Sequence, residues 1–197
     1  MRRLLVVFLF TSMVGIFSLG CTGFRLVAKD GTLVAARTLE FDFDLQSEIT
    51  LVPRGTFMKA LTTGWQGLSW IVKYGYVGVD ALGMDLLEDG LNEVGLAAGA
   101  FYFDQCAGYQ ELKDDRLSKT ISQYDLVGWL LGNFATVEEV KKAIGDICVY
   151  GFTVAHSEIL KMPLHYIVYD AKGDCVVIEY IEDRKSTRLN SSHVSQS

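Results

Sequence analysis

Hydrophobic residues follow three regimes along this chain. The first is unbroken: Arg2 and Arg3 precede a mostly apolar run over residues 4–17, then Ser18-Leu19-Gly20, then Cys21. A basic start, an apolar stretch of about 14 residues and small residues three and one positions before a cysteine read as a secretory leader cut after Gly20. The run is short for a spanning helix, which needs about 20 apolar residues. The second regime is strand-like. Short runs rich in β-branched and aromatic residues cover 24–28 and Leu33–Arg37 around Asp30-Gly31, a strong hairpin signal. A third strand is expected over 46–53, ending at Pro53-Arg54-Gly55, then a loop over 55–69, a strand over 70–79, and a hairpin-like pair over 84–88 and 96–103 split by Asp89-Gly90 through Gly95.

The third regime begins after residue 104. Residues 105–119 are polar and loop-like, whereas Ile121, Tyr124, Leu126, Val127, Leu130 and Leu131 recur at helical spacing over 121–132. Thr136-Val137-Glu138-Glu139 is a capping box that opens a second helix to about Ile144. Two further strands, Leu164–Tyr169 and Cys175–Tyr180, flank a turn through Asp170-Ala171-Lys172-Gly173. Strands, then helices, then strands predict an α+β domain with largely antiparallel sheets. From Arg184 the pattern collapses: RKSTRLNSSHVSQS holds five serines in 14 residues, and it reads as a disordered or non-native tail over 184–197. On that reading the strand ending near Ile181 is left as an unpaired apolar edge.

Composition narrows the function. The chain has 197 residues, half of them hydrophobic, with two prolines, which suits one compact core. A formal charge of −6, more acidic once Arg2 and Arg3 leave with the leader, argues against nucleic acid, which demands basic patches. Cys106, Cys148 and Cys175 form no CxxC, and no histidine pair has ligand spacing, so no metal site is expected and these cysteines read as small buried hydrophobes.

Cleavage after Gly20 would leave Cys21 with a thiol and a free amine on one Cα, nucleophile and base together. The rival reading is a lipid-anchored, non-catalytic envelope protein attached through Cys21. A two-residue Asp30-Gly31 turn sets Cys21 opposite Glu40, whose carboxylate could orient the amine, and leaves Arg37 on the other face. A three-residue turn with a bulge shifts the pairing by one and brings Arg37 round, where its charge would favour thiolate. Of the histidines, His156 lies in a loop, His165 in a strand and His193 in the tail. Trp65, Trp70, Phe101 and Tyr102 are candidates for an acyl pocket or for the core.

Cys21-Thr22-Gly23-Phe24, Ala36-Arg37-Thr38-Leu39-Glu40, Val52-Pro53-Arg54-Gly55, Asp89-Gly90-Leu91-Asn92-Glu93 with Gly95-Leu96, and the segments 163–166 and 177–180 together resemble the choloylglycine hydrolase family. That family holds bile salt hydrolases and penicillin V acylases, cysteine members of the N-terminal-nucleophile hydrolases. The resemblance covers about residues 21–182 and implies an αββα sandwich of antiparallel sheets, incomplete at its C-terminus, with residues 21–183 as its N-terminal portion. It implies Cys21 as nucleophile with its own amine as base and Arg37 beside the thiol. Glu40 stands where well-known members carry aspartate, against the amine, and Asn92 would be an oxyanion-hole donor. The family's later Thr-Asn-x-Pro-like motif and further arginine have no counterpart here, and Asn190 does not take that role. The expectation is an exported, periplasmic or secreted amidase without cofactor or stable membrane association. It would hydrolyse a small N-acyl amide (penicillin V, an N-acyl homoserine lactone or a conjugated bile salt), with homo-oligomer formation implied by the same analogy.

Overall fold

The computed structural model describes residues 21–41, 44–83, 86–103, 106–153, 162–181 and 187–190. The leader reading, His156 and His193 lie outside them. Strands come first: β1 (Gly23–Val27), β2 (Leu33–Arg37), β3 (Ile49–Val52), β4 (Phe57–Lys59), β5 (Ser69–Ile71), β6 (Tyr76–Ala81), β7 (Leu86–Asn92) and β8 (Ala97–Tyr102). A 3-10 turn over Asp114–Lys119, β9 (Thr120–Ser122), α1 (Leu126–Asn133), α2 (Val137–Ala143) and β10 (Cys148–Tyr150) follow, then β11 (Leu164–Tyr169), β12 (Cys175–Tyr180) and β13 (Thr187–Asn190).

Seven strands form one antiparallel sheet in the order β13-β12-β11-β8-β7-β6-β3. One face meets α1 and α2 and buries Tyr166, Val168, Val176 and Ile178 with Leu130, Leu131 and Val140. Helix α1 is apolar on every side, so it sits wholly inside this layer. Its approach depends on Gly90, where a Cβ would strike Leu131 and stand 2.9 Å from the Val77 carbonyl. Asp125 fixes its entry by accepting from Ser122 N (2.8 Å), Ser122 Oγ (2.7 Å) and Leu61 N (2.9 Å). The hairpin β1–β2 lies on the opposite face, where Gly23 packs so tightly on Phe101 and Ile167 that a Cβ would meet Phe101 at 2.8 Å. Helices, sheet and overlying hairpin are the layers of the expected α+β architecture.

Several elements differ from expectation. The expected loop over 55–69 contains β4, which pairs with β5, and the expected strand over 70–79 is two strands, because residues 73–75 turn back toward α1 through Lys73 N and Tyr74 N on the Gly132 carbonyl. Asp89-Gly90 is not a turn: β7 runs through it, and the reversal comes at Glu93-Val94-Gly95, with Gly95 at φ +89. Residues 120–122 form β9, parallel to β10, so the first helix begins only at Leu126. Thr136 caps α2 by accepting from Glu139 N (3.2 Å), while Glu139 reaches back to Ala135 N (2.8 Å). The strand edge near Ile181 is not open, since β13 pairs with β12 from Val177↔Asn190 to Tyr180↔Thr187. The four cysteines are free; Cys148 is buried, whereas Cys106 is exposed, because it follows β8 in a surface turn instead of entering the core.

Candidate active site

The β1–β2 turn decides who meets Cys21. The pairing runs Gly23↔Arg37 to Val27↔Leu33, with Ala28 N on the Thr32 carbonyl (2.8 Å) and Gly31 N on the Ala28 carbonyl (2.9 Å). The loop is therefore Lys29-Asp30-Gly31, three residues with Gly31 at φ +86, and not the two-residue Asp30-Gly31 turn. Asp30 supports it by accepting from Thr32 N (2.9 Å). This is the shifted register: Arg37 stands opposite Gly23, on the face that Cys21 reaches two residues earlier. The pairing continues through Thr38 N to the Thr22 carbonyl (2.9 Å) and Thr22 N to Thr38 Oγ1 (3.0 Å).

Arg37 is held from all sides, its side chain 12 % exposed. Its Nη1 donates to the carbonyls of Ala100 (2.7 Å) and Glu88 (3.2 Å) and lies 3.3 Å from Asp89 Oδ2. Nε donates to the Thr38 carbonyl (3.2 Å), and the guanidinium lies 4.2 Å over the Phe101 ring. The fork thus pins the hairpin to β7 and β8 and fixes a cation on the Cys21 face. Burial raises the Asp89 carboxyl above its ordinary range despite the opposing pull of Arg37.

Cys21, half-buried, opens onto a cleft lined by Arg37, Leu39, Phe41, Leu82, Leu86, Glu88, Tyr102, Tyr124, Met162 and Leu164 among others. Most of that wall is hydrocarbon or aromatic. The thiol donates a long 4.0 Å hydrogen bond to the Glu40 main-chain carbonyl. Glu40 therefore adjoins the thiol through its backbone, with its side chain on the exposed side; the direct pairing of Cys21 with Glu40 belonged to the other register.

Asn92 is not brought to this site. It is 3 % exposed, and its amide donates both hydrogens, to the carbonyls of Leu131 (2.9 Å) and Phe134 (2.8 Å) at the end of α1. Its Oδ1 accepts from Val94 N (3.2 Å) and Leu96 N (2.9 Å). An amide so committed has no donor left for an oxyanion, which corrects the expected role. Of the four aromatic candidates only Tyr102 lines the cleft; Trp70 is core, Phe101 underlies Arg37, and Trp65 packs on Tyr150. His165 is sandwiched by Phe103 and Phe101 in β11, and burial lowers its basicity. The reading from sequence missed the bulge in β7, which leaves Glu88 as an extra residue between the pairs Val79↔Asp89 and Asp80↔Leu87.

The family model for linear amide C–N hydrolases of the choloylglycine hydrolase family matches residues 21–188. A bile salt hydrolase/transferase of Clostridium perfringens is 29% identical over 173 residues, covering 83% of this chain and 49% of the relative. A penicillin V acylase of Pectobacterium atrosepticum is 27% identical over 175 residues, covering 85% and 46%. Among solved structures, a variant of conjugated bile acid hydrolase from Clostridium perfringens superposes with TM-score 0.73 at 23% identity over 87% of this chain and 51% of that one. Penicillin V acylase from Agrobacterium tumefaciens gives 0.71 at 23% identity over 88% and 49%. The chain spans about half the length of the relatives it matches.

Proposed function

This chain belongs to the choloylglycine hydrolase family of linear amide C–N hydrolases, and on that premise we propose that it carries the nucleophile of an exported cysteine amidase. Cleavage after Gly20 frees the amine of Cys21, which takes the proton of its own thiol. An α-amine titrates near 7.7–8.0 in its ordinary state, so a useful fraction is neutral near pH 7. The thiolate attacks the amide carbonyl, the amine departs with the transferred proton, and water hydrolyses the thioester. Arg37 holds the hairpin still against β7 and β8 on the Cys21 face, and the Glu40 segment lies beside the thiol.

One observation carries the reading: the pairing that sets Arg37 on the Cys21 face, at the mouth of an apolar cleft. Such a cleft suits an amide with an apolar acyl side, as in penicillin V, an N-acyl homoserine lactone or a conjugated bile salt. The test uses the full-length, leader-processed protein. Its first residue should be Cys21 by Edman degradation, and it should release amine from one of these amides, whereas Cys21→Ala should lose several orders of magnitude in kcat. A diacylglyceryl mass increment on Cys21, or hydrolysis that survives Cys21→Ala, overturns the proposal.

A further inference from the structure

We infer that His165 is a positioning residue of the Cys21 site: acting through Phe101, its uncharged ring holds the hairpin that carries Cys21 and Arg37, and its protonation releases that hairpin. What the site does rests on the amidase reading above; how the hairpin is held rests on packing alone.

Phe101 joins the two. In the β8–β11 pairing His165 stands opposite Phe101, and the two rings meet edge-on with centroids 5.7 Å apart. Phe103, from the end of the same β8 segment, stacks on the imidazole at 4.8 Å and 22°. The hairpin rests on that same Phe101 ring. Gly23 approaches so closely that a Cβ would lie 2.8 Å from Phe101 Cζ, and the Arg37 guanidinium lies 4.2 Å over the ring. Gly23 is two residues from Cys21, and Arg37 lines the cleft onto which the thiol opens. A displacement of the Phe101 ring therefore reaches both.

The imidazole suits this place only while neutral. Its Nδ1 is buried and has no hydrogen-bond partner among the described residues. A neutral ring can leave that nitrogen as a bare acceptor, whereas the imidazolium donates from both nitrogens and would bury an unpaired, charged N–H. Glu179 faces His165 from β12, by continuation of the Tyr166↔Ile178 pairing, and favours the imidazolium; Arg37, from the hairpin, opposes it. Burial is the larger influence, and it lowers the basicity of the ring. From β8 come the two phenyl rings. On β7, Asp89 and Glu88 interact with Arg37 and are themselves raised by burial, so they are the other groups of this clamp that acid can neutralise.

Protonation adds a second cation beside a ring that Arg37 already covers. By linkage, a histidine that is harder to protonate in the folded chain contributes its stability in full above its ordinary value of about 6.5. That stability is lost as pH falls through this value. Mild acid thus frees the hairpin, and with it the order of Cys21 and Arg37.

Hydrogen exchange of the β1–β2 amides in the full-length, leader-processed protein tests this, once the intrinsic pH dependence of exchange is removed. Their protection should fall severalfold between about pH 7.5 and about pH 5.5, and by more than that of β6 and β7. His165→Phe, which keeps a ring between Phe101 and Phe103, should hold protection flat over that range. Glu179→Gln, which removes the anion facing the imidazole, should deepen the fall. A fall that survives His165→Phe assigns the effect to Asp89 or Glu88 and overturns the inference, as does a parent whose protection is flat with pH. Where His165→Phe does not fold, Glu179→Gln decides: a fall no deeper than the parent's overturns it. Exchange needs no turnover, so a protein that cleaves no amide still answers the question, and that outcome removes the amidase reading alone.

Discussion

At the scale of single residues, the contrast between Asn92 and Glu88 is the most instructive. Asn92 ties the β7–β8 turn to the end of α1 with four hydrogen bonds in a nearly dry setting. Asn92→Ala strands the Leu131 and Phe134 carbonyls and loosens the turn, so it should cost about 3 kcal/mol of stability by urea denaturation. The amidase rate per folded molecule should stay close to that of the parent; a large fall in kcat at unchanged stability would restore Asn92 to the chemistry. A turn asparagine and an oxyanion donor look alike in sequence, because residue type does not say which way the amide points. The sequence set Cys21 and Arg37 on one hairpin but left two registers open, because the choice rests on whether the loop holds two residues or the three of Lys29-Asp30-Gly31. Glu88 was not legible, since nothing in Leu86-Leu87-Glu88-Asp89 announces that one residue is extra. The motif that pointed to Asn92 instead serves a structural corner: Glu93 receives Arg54 Nε and Gly75 N, joining Pro53-Arg54-Gly55 to the β7–β8 turn.

At the scale of elements, local chemistry was readable wherever it acts locally. The Thr136 cap, the two strands around the Asp170 turn and both arms of the first hairpin follow from their own residues. Here Gly173 N on the Asp170 carbonyl (3.0 Å) and Asp174 N on Asp170 Oδ1 (3.0 Å) build the turn that the sequence signals. Elements failed to show where a tertiary partner sets them. Strand β9 exists because Thr120, Ile121 and Ser122 pair with Cys148, Val149 and Tyr150, which helical spacing cannot reveal. Asp89-Gly90 looks like a turn, yet Gly90 sits mid-strand because α1 needs its missing side chain. Gly90→Ala should therefore destabilise by about 2–3 kcal/mol through overpacking against Leu131 and the Val77 carbonyl. Gly31→Ala, at an exposed turn with open space but positive φ, should cost about 1 kcal/mol through backbone strain alone. Thermal melts of the two variants rank these costs, and the reverse order would show that α1 can shift to admit a methyl group.

At the scale of the whole molecule, among the described residues, the helices cover one sheet face and the β1–β2 hairpin covers the other only in part. In an αββα sandwich the face away from the helices meets a second sheet, and β1–β2 is the part of that layer present among the described residues. The hairpin covers Phe101 and Ile167, but Ile49 (80 % exposed), Leu51 (75 %), Leu91 (49 %), Val77 (41 %) and Val79 (36 %) stay open. These five share one face, because Ile49 pairs with Val79, Leu51 with Val77 and Val77 with Leu91. A contiguous apolar surface of this kind drives association in water, since each buried Å² of it is worth roughly 25 cal/mol. The 197-residue chain by itself should therefore self-associate as its concentration rises. The double change Leu51→Lys with Val77→Lys should shift it toward monomer in sedimentation velocity at little cost in melting temperature, because both side chains already face solvent. The same pair of lysines in a longer parent whose second sheet covers this face should instead unfold it, by burying two unpaired charges. A 197-residue chain that stays monomeric at high concentration would mean that the hairpin layer shields more of the face than its contacts indicate.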